Sequence, residues 1–126
     1  GLLPQSILKY GGYQPRGRSD DEANEIVDDA LALQDAGAFA VVIEKVPAEL
    51  GKRITEALDI PTIGIGAGPE CSGQILVSHD MLGLYEDFRP RFVRLYASLN
   101  AEMLKACSSY VSDVKKRHFP NESESY

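Results

Sequence analysis

The chain has 126 residues, 44% of them hydrophobic, and a formal charge of −6. Such a length suits one domain with a sizeable core. The acidic balance excludes nucleic acid or an anionic membrane as the main partner, since both call for a basic surface. The two cysteines, Cys71 and Cys107, have neither metal-ligand spacing nor disulfide density and fit a reducing compartment. No signal peptide is recognisable, and no apolar run approaches the eighteen or more residues of a membrane-spanning helix, so a cytoplasmic location is expected. Gly1 in place of an initiator Met leaves room for a segment upstream.

The elements read as follows in chain order. GGYQPRGR at 11–18 is a loop that can close over a site, with Tyr13 and Arg16 or Arg18 as its ligand-facing candidates; an ordinary surface loop is the competing reading. Residues 19–36 predict a helix: Ser19 and Glu22 have capping-box spacing, Ala23, Ile26, Val27, Ala30, Leu31 and Leu33 form one apolar face, and Gly37 suits a left-handed cap. A strand is expected over 38–44, where AFAVVIE is rich in β-branched residues. After Pro47, Leu50, Ile54, Ala57 and Leu58 predict a helix that stops before Ile60-Pro61.

PTIGIGAG at 61–68 reads as a second strand entering a glycine-rich turn, and QILVSHD at 74–80 as either a strand or a short helix. Phe92, Leu95, Tyr96, Leu99, Met103 and Leu104 predict a helix from about Pro90 to Ala106, followed by a last helix over 108–117 and a loose polar tail from 118. The basic clusters Arg89, Arg91, Arg94 and Lys115, Lys116, Arg117, His118 read as solvated helix faces. Alternation of helix and strand predicts a parallel α/β protein whose strands are buried on both faces. Either a doubly wound sheet or a (β/α)₈ barrel places function at the carboxyl ends of the strands, but a barrel needs about 250 residues.

Glu44 ends a buried strand at that functional edge. A carboxylate there suits a general base; a cap for the following helix, or a pair with Lys45 or Lys52, is the competing role. GIGAG at 64–68 lacks the full dinucleotide fingerprint, because Pro69 stands where a third glycine belongs. His79-Asp80 has no nucleophile elbow beside it and reads as a packed or capping pair. The acids of 20–29 lack metal-loop spacing.

GLLPQS, GGYQPRGR, ALALQDAGAFAVVIEKVPAELGKRITEALDIPTIGIGAG and GQILVSHDMLGLYEDFRPRFVRLYA, in that order, resemble the carboxyl-terminal half of ketopantoate hydroxymethyltransferase up to about residue 110. The resemblance implies the carboxyl-terminal half of a (β/α)₈ TIM barrel of the phosphoenolpyruvate/pyruvate superfamily, a single partial domain over 1–126. It implies a cytoplasmic homo-oligomer, usually a decamer in bacteria, that transfers a hydroxymethyl group from 5,10-methylenetetrahydrofolate to 3-methyl-2-oxobutanoate in pantothenate synthesis. In the family Mg2+ chelates the keto acid and a glutamate removes its C–H proton. By the VxEx-VP pattern that base is Glu44, within Val42-Ile43-Glu44-Lys45-Val46-Pro47.

The metal-binding carboxylates, a further acid near the metal, and the substrate-holding serine and lysine belong to the family's amino-terminal half. A substrate histidine falls just before Gly1. The resemblance therefore implies a chain inactive alone, which self-associates or pairs with its missing half. Lys45 stands where many members have an uncharged residue, and Ser72 replaces an acid often found before GQ. Two other functions are carried alongside: a degenerate copy that binds full-length subunits, and an open α/β domain using GIGAG for phosphate.

Overall fold

A computed structural model describes every residue except Glu86. The chain forms two compact units, Gly1–Leu76 and Val77–Tyr126.

The first unit opens with a 3₁₀ turn and a single helical turn, α1 (Ile7–Tyr10). Helix α2 (Asp20–Asp35) begins as expected: the Ser19 hydroxyl accepts the Glu22 amide at 3.4 Å. Only this half of the predicted capping box forms. The Glu22 carboxylate takes the Gly17 amide at 2.7 Å and pairs with Arg16, whose charge makes that the stronger use of the acid. At the other end Gly37 has φ of 94°, its amide reaches Gln34 O at 2.9 Å, and the Ala38 amide reaches Leu33 O at 3.1 Å. These are the two bonds of a Schellman motif.

That motif shortens the expected strand. Ala38 is committed to the helix end and Phe39 is 90% exposed, so β1 covers only Val41–Glu44. Helix α3 (Ala48–Ala57) starts after Pro47 and ends where predicted. The Asp59 and Ile60 amides beyond it are both taken by the Gln34 side chain, at 2.7 and 3.2 Å. Strands β2 (Thr62–Ile65) and β3 (Gly73–Gln74) complete a parallel sheet of order β1-β2-β3.

Val27, Ala30, Val41, Ile43, Leu50 and Ile54 meet in one core, so α2 and α3 cover the sheet face carrying Val41 and Ile43. Burying each such side chain contributes about 1.5–3 kcal/mol. The sheet is not covered on both faces, contrary to expectation: Ile43 is 2% exposed, whereas its neighbour Val42 is 57% exposed. Alternation puts Val42 and Glu44 together on the open face. Parallel register sets Val42 beside Ile63 and Glu44 beside Ile65.

The ambiguous segment 74–80 takes both forms: Gln74 ends β3 in the first unit, and the second unit opens with a short helix, α4 (Ser78–Met81). The predicted pair of helices over 90–106 and 108–117 is instead a single helix, α5 (Leu99–Lys115). Residues 90–98 are not helical. The Tyr96, Leu99 and Asn100 amides pair with Met81 O, Leu82 O and Gly83 O at 2.8, 3.0 and 3.1 Å, bonds that a helix starting at Pro90 would have spent on its own carbonyls. Ser98 then occupies the position before α5, and the helix runs through Cys107 without a break. Arg91, Arg94 and the Lys115–His118 cluster are exposed, Arg91 on a turn and Arg94 on irregular chain, neither on a helix. In the tail, Asn121 and Glu124 form a capping box around a 3₁₀ turn.

Candidate functional site

The end of β1 gathers the chemistry-bearing groups of the first unit. Glu44 closes the strand on the open face and is half-buried. Its carbonyl accepts the Leu2 amide at 2.8 Å, so the segment at Gly1-Leu2 lies along the edge of β1 opposite β2. A side chain at Gly1 would come within 2.4 Å of that same carbonyl oxygen.

Both competing roles for the Glu44 carboxylate fail on geometry. Helix α3 has Pro47 at its cap position and no capping side chain, and the ion pairs found among the described residues are Arg16–Glu22 and Lys52–Glu56, the latter at 3.9 Å. Among the described residues the Glu44 carboxylate has no hydrogen-bond or ion-pair partner. An acid free of structural duty at a strand's carboxyl end, sharing its sheet face with the exposed Val42, the half-buried Ile63 and the buried Ile65, is available to take a proton from a ligand.

The 11–18 loop reaches the same strand end. The Arg16 amide donates to Lys45 O at 3.0 Å, and the Lys45 ammonium donates to the Tyr13 carbonyl, with its nitrogen 5.9 Å from the centre of the Tyr13 ring. Tyr13 is exposed. The Arg16 guanidinium, by contrast, is held on Glu22 and lies 3.4 Å from the centre of the Tyr10 ring. Arg16 thus helps fasten the loop, and its side chain is engaged within the unit. A 210 Å³ cavity nearby is lined by Tyr10, Arg16, Glu22, Asp29 and Val42, and Glu44 is not part of its wall.

GIGAG forms a turn packed on α3 with no helix behind it. Ala67 is 1% exposed, and a side chain added at Gly51 would fall 2.1 Å from Ala67 O. Residues 69–72 lead into β3, so the helix N-terminus that a phosphate loop relies on does not follow. His79 and Asp80 lie in α4, in the second unit, where the Asp80 amide bonds Val77 O at 3.0 Å.

A hydroxyl network escaped the sequence reading. Thr62 is fully buried at the start of β2, and its hydroxyl lies 2.7 Å from that of Thr55 and accepts the Ser72 amide at 3.2 Å. The Thr55 hydroxyl also donates to Gly51 O at 2.8 Å. A threonine opening an otherwise apolar strand was the available signal, since a buried hydroxyl must find a partner.

No set of three or more His, Cys, Asp or Glu side chains among the described residues is arranged to hold a metal ion.

Comparison with known proteins agrees with the residue motifs. A family model described as "Ketopantoate hydroxymethyltransferase" matches residues 1–122. Curated relatives carrying the name 3-methyl-2-oxobutanoate hydroxymethyltransferase align over all 126 residues. They include proteins from Salinibacter ruber at 59% identity, Chlorobaculum tepidum at 56% and Geobacter metallireducens at 52%. The alignments span 48%, 46% and 47% of those proteins, so the chain corresponds to about half the length of the relatives it matches.

Proposed function

The chain belongs to the ketopantoate hydroxymethyltransferase family, and on that premise we propose that it supplies the base-bearing half of a 3-methyl-2-oxobutanoate hydroxymethyltransferase. Glu44 is the general base: its carboxylate accepts the proton from carbon 3 of the keto acid. The enolate carbon bonds to the methylene carbon of 5,10-methylenetetrahydrofolate as one of its C–N bonds breaks, and water then displaces the remaining nitrogen, so that tetrahydrofolate leaves and the hydroxymethyl group stays on the keto acid. Such general-base help contributes about 10²–10⁴ in rate. The observation that carries this reading is the Glu44 carboxylate, unpartnered among the described residues at the carboxyl end of β1 on the open face of the sheet.

The architecture in this reading is the carboxyl-terminal half of a (β/α)₈ barrel, in which Val42, Glu44, Ile63 and Ile65 face the interior. The open face and the nearly bare outer edge of β1 support it, for a closed barrel leaves no strand edge unpaired. Magnesium, the keto acid's carboxylate contacts and most of the folate site are assigned to the other half; no group of three or more metal-ligating side chains is found among the described residues. Tyr13 is the loop residue placed to close over the substrate; the engaged Arg16 is the weaker of the two lid candidates. The working protein is a cytoplasmic homo-oligomer, and none of the described helices is long and apolar enough to cross a membrane.

The test is turnover of 3-methyl-2-oxobutanoate with methylenetetrahydrofolate and magnesium. The chain is assayed alone and mixed with an amino-terminal half from the same family. Activity on mixing only, lost with Glu44→Gln, is the expected result; full activity of Glu44→Gln overturns the assignment. A second reading, a non-catalytic copy that binds whole subunits, draws on α5. None of its described residues is buried, and Met103, Leu104, Tyr110 and Val111 are all exposed. It predicts association with an intact relative and no turnover in any mixture.

A further inference from the structure

We propose that Lys45 is a positioning residue that latches the 11–18 loop onto the end of β1, one residue beyond Glu44. The inference stands on contacts within the first unit and holds whatever chemistry Glu44 performs.

Lys45 has φ of 52°, the left-handed region that a side chain disfavours, and only one other residue lacking a glycine's freedom, Arg117, shares it among the described residues. Two backbone bonds hold it there. Its amide donates to Ile65 O at 2.9 Å, extending the β1–β2 ladder by one step, and its carbonyl accepts the Arg16 amide at 3.0 Å. Continued strand geometry would have sent this side chain to the helix-covered face, opposite Glu44. The left-handed turn redirects it, and the ammonium meets the Tyr13 carbonyl 32 positions earlier in the chain.

One residue therefore grips the loop twice, through backbone and side chain. The rest of the loop has little of its own to hold it. Gly11, Gly12 and Gly17 all have positive φ, and a side chain at Gly11 or Gly12 would meet nothing within 4 Å. Its other fastenings lie at its two ends, where the Gly12 amide donates to Ile7 O at 3.1 Å and Glu22 takes the Gly17 amide and the Arg16 side chain. Without the Lys45 ammonium, the stretch from Gly11 to Pro15 carrying Tyr13 loses its side-chain tether. The ammonium is also not paired with Glu44 within 4 Å, so its charge serves the loop.

The experiment measures cleavage after Tyr13, inside the tethered stretch, by chymotrypsin in the full chain, for the parent, Lys45→Met, Lys45→Gly and Lys45→Arg. Circular dichroism and hydrogen exchange at Ile43 check the fold. Lys45→Met removes the ammonium and keeps the bulk. Lys45→Gly removes it and suits the left-handed backbone, so it keeps the test open if the methionine variant unfolds. Both should speed cleavage about fivefold, the weight of one charge-assisted hydrogen bond at an exposed site acting on the open population. Lys45→Arg should restore the parent rate. A folded Lys45→Gly cleaved at the parent rate overturns the latch, as does a Lys45→Arg variant cleaved as fast as Lys45→Met.

Discussion

Thr62 and Ser72 bond each other reciprocally: the Thr62 amide donates to the Ser72 hydroxyl and the Ser72 amide to the Thr62 hydroxyl, both at 3.2 Å. This pair, together with the Thr55 hydroxyl 2.7 Å away, pins the return of the chain after the GIGAG turn to the first residue of β2. The register that begins at Val41 and Thr62 and ends at Glu44 and Ile65 starts from that point. Thr62→Val keeps the shape and removes the hydroxyl, leaving the Ser72 amide without its partner. The expected loss is about 1–3 kcal/mol, seen as a lower urea midpoint at unchanged slope. A midpoint equal to the parent's would mean that the network contributes nothing net.

Glu44→Gln should leave stability within about 0.5 kcal/mol of the parent, because the carboxylate makes no bond among the described residues that the amide would break. In an active mixture of halves the same change should lower kcat about 10²–10⁴-fold. A large drop in stability would show that Glu44 has a structural partner, and would remove the main ground for calling it a base.

Gly51→Ala should destabilise the first unit by about 1–3 kcal/mol, since the new methyl would sit 2.1 Å from the Ala67 carbonyl oxygen, a backbone atom fixed by the turn. Gly73→Ala is the contrast. Nothing lies within 4 Å of its added carbon, and the thermal midpoint should barely move. Equal effects at the two positions would rule out close approach of α3 to the GIGAG turn as the reason for glycine at 51.

Glu22→Ala removes both the acceptor for the Gly17 amide and the partner of Arg16, and should cost about 1.5–3 kcal/mol, with faster hydrogen exchange at Gly17. Glu22→Gln keeps an acceptor oxygen, so it should preserve most of the Gly17 protection while weakening the hold on Arg16. If both variants exchange alike, the charge and not the hydrogen bond organises the loop.

The local elements of the first unit were legible in the sequence because their signals are local. Ser19 and Gly37 bracket α2, Pro47 precedes α3, and Ile60-Pro61 ends it, each through the backbone chemistry of a few neighbouring residues. Glu44 could likewise be singled out, since an acid closing an apolar strand is visible in one dimension. The same reasoning failed over 90–98, where apolar spacing matched a helix but the amides of Tyr96, Leu99 and Asn100 found carbonyls at Met81, Leu82 and Gly83. Periodicity records which side chains shun water and says nothing of a rival hydrogen-bond partner far off in the chain.

What the sequence by itself determined was the family, the helix caps, the parallel α/β pattern and a carboxylate at a strand end. Tertiary structure alone decided that this carboxylate has no structural partner among the described residues, that Arg16 is engaged by Glu22 and Tyr10, and that Lys45 turns to Tyr13. Each of those outcomes is a competition for a partner between groups brought together only by folding. A charged side chain's freedom depends on which of its rivals reached the partner first, and that is a property of distances across the chain, not along it.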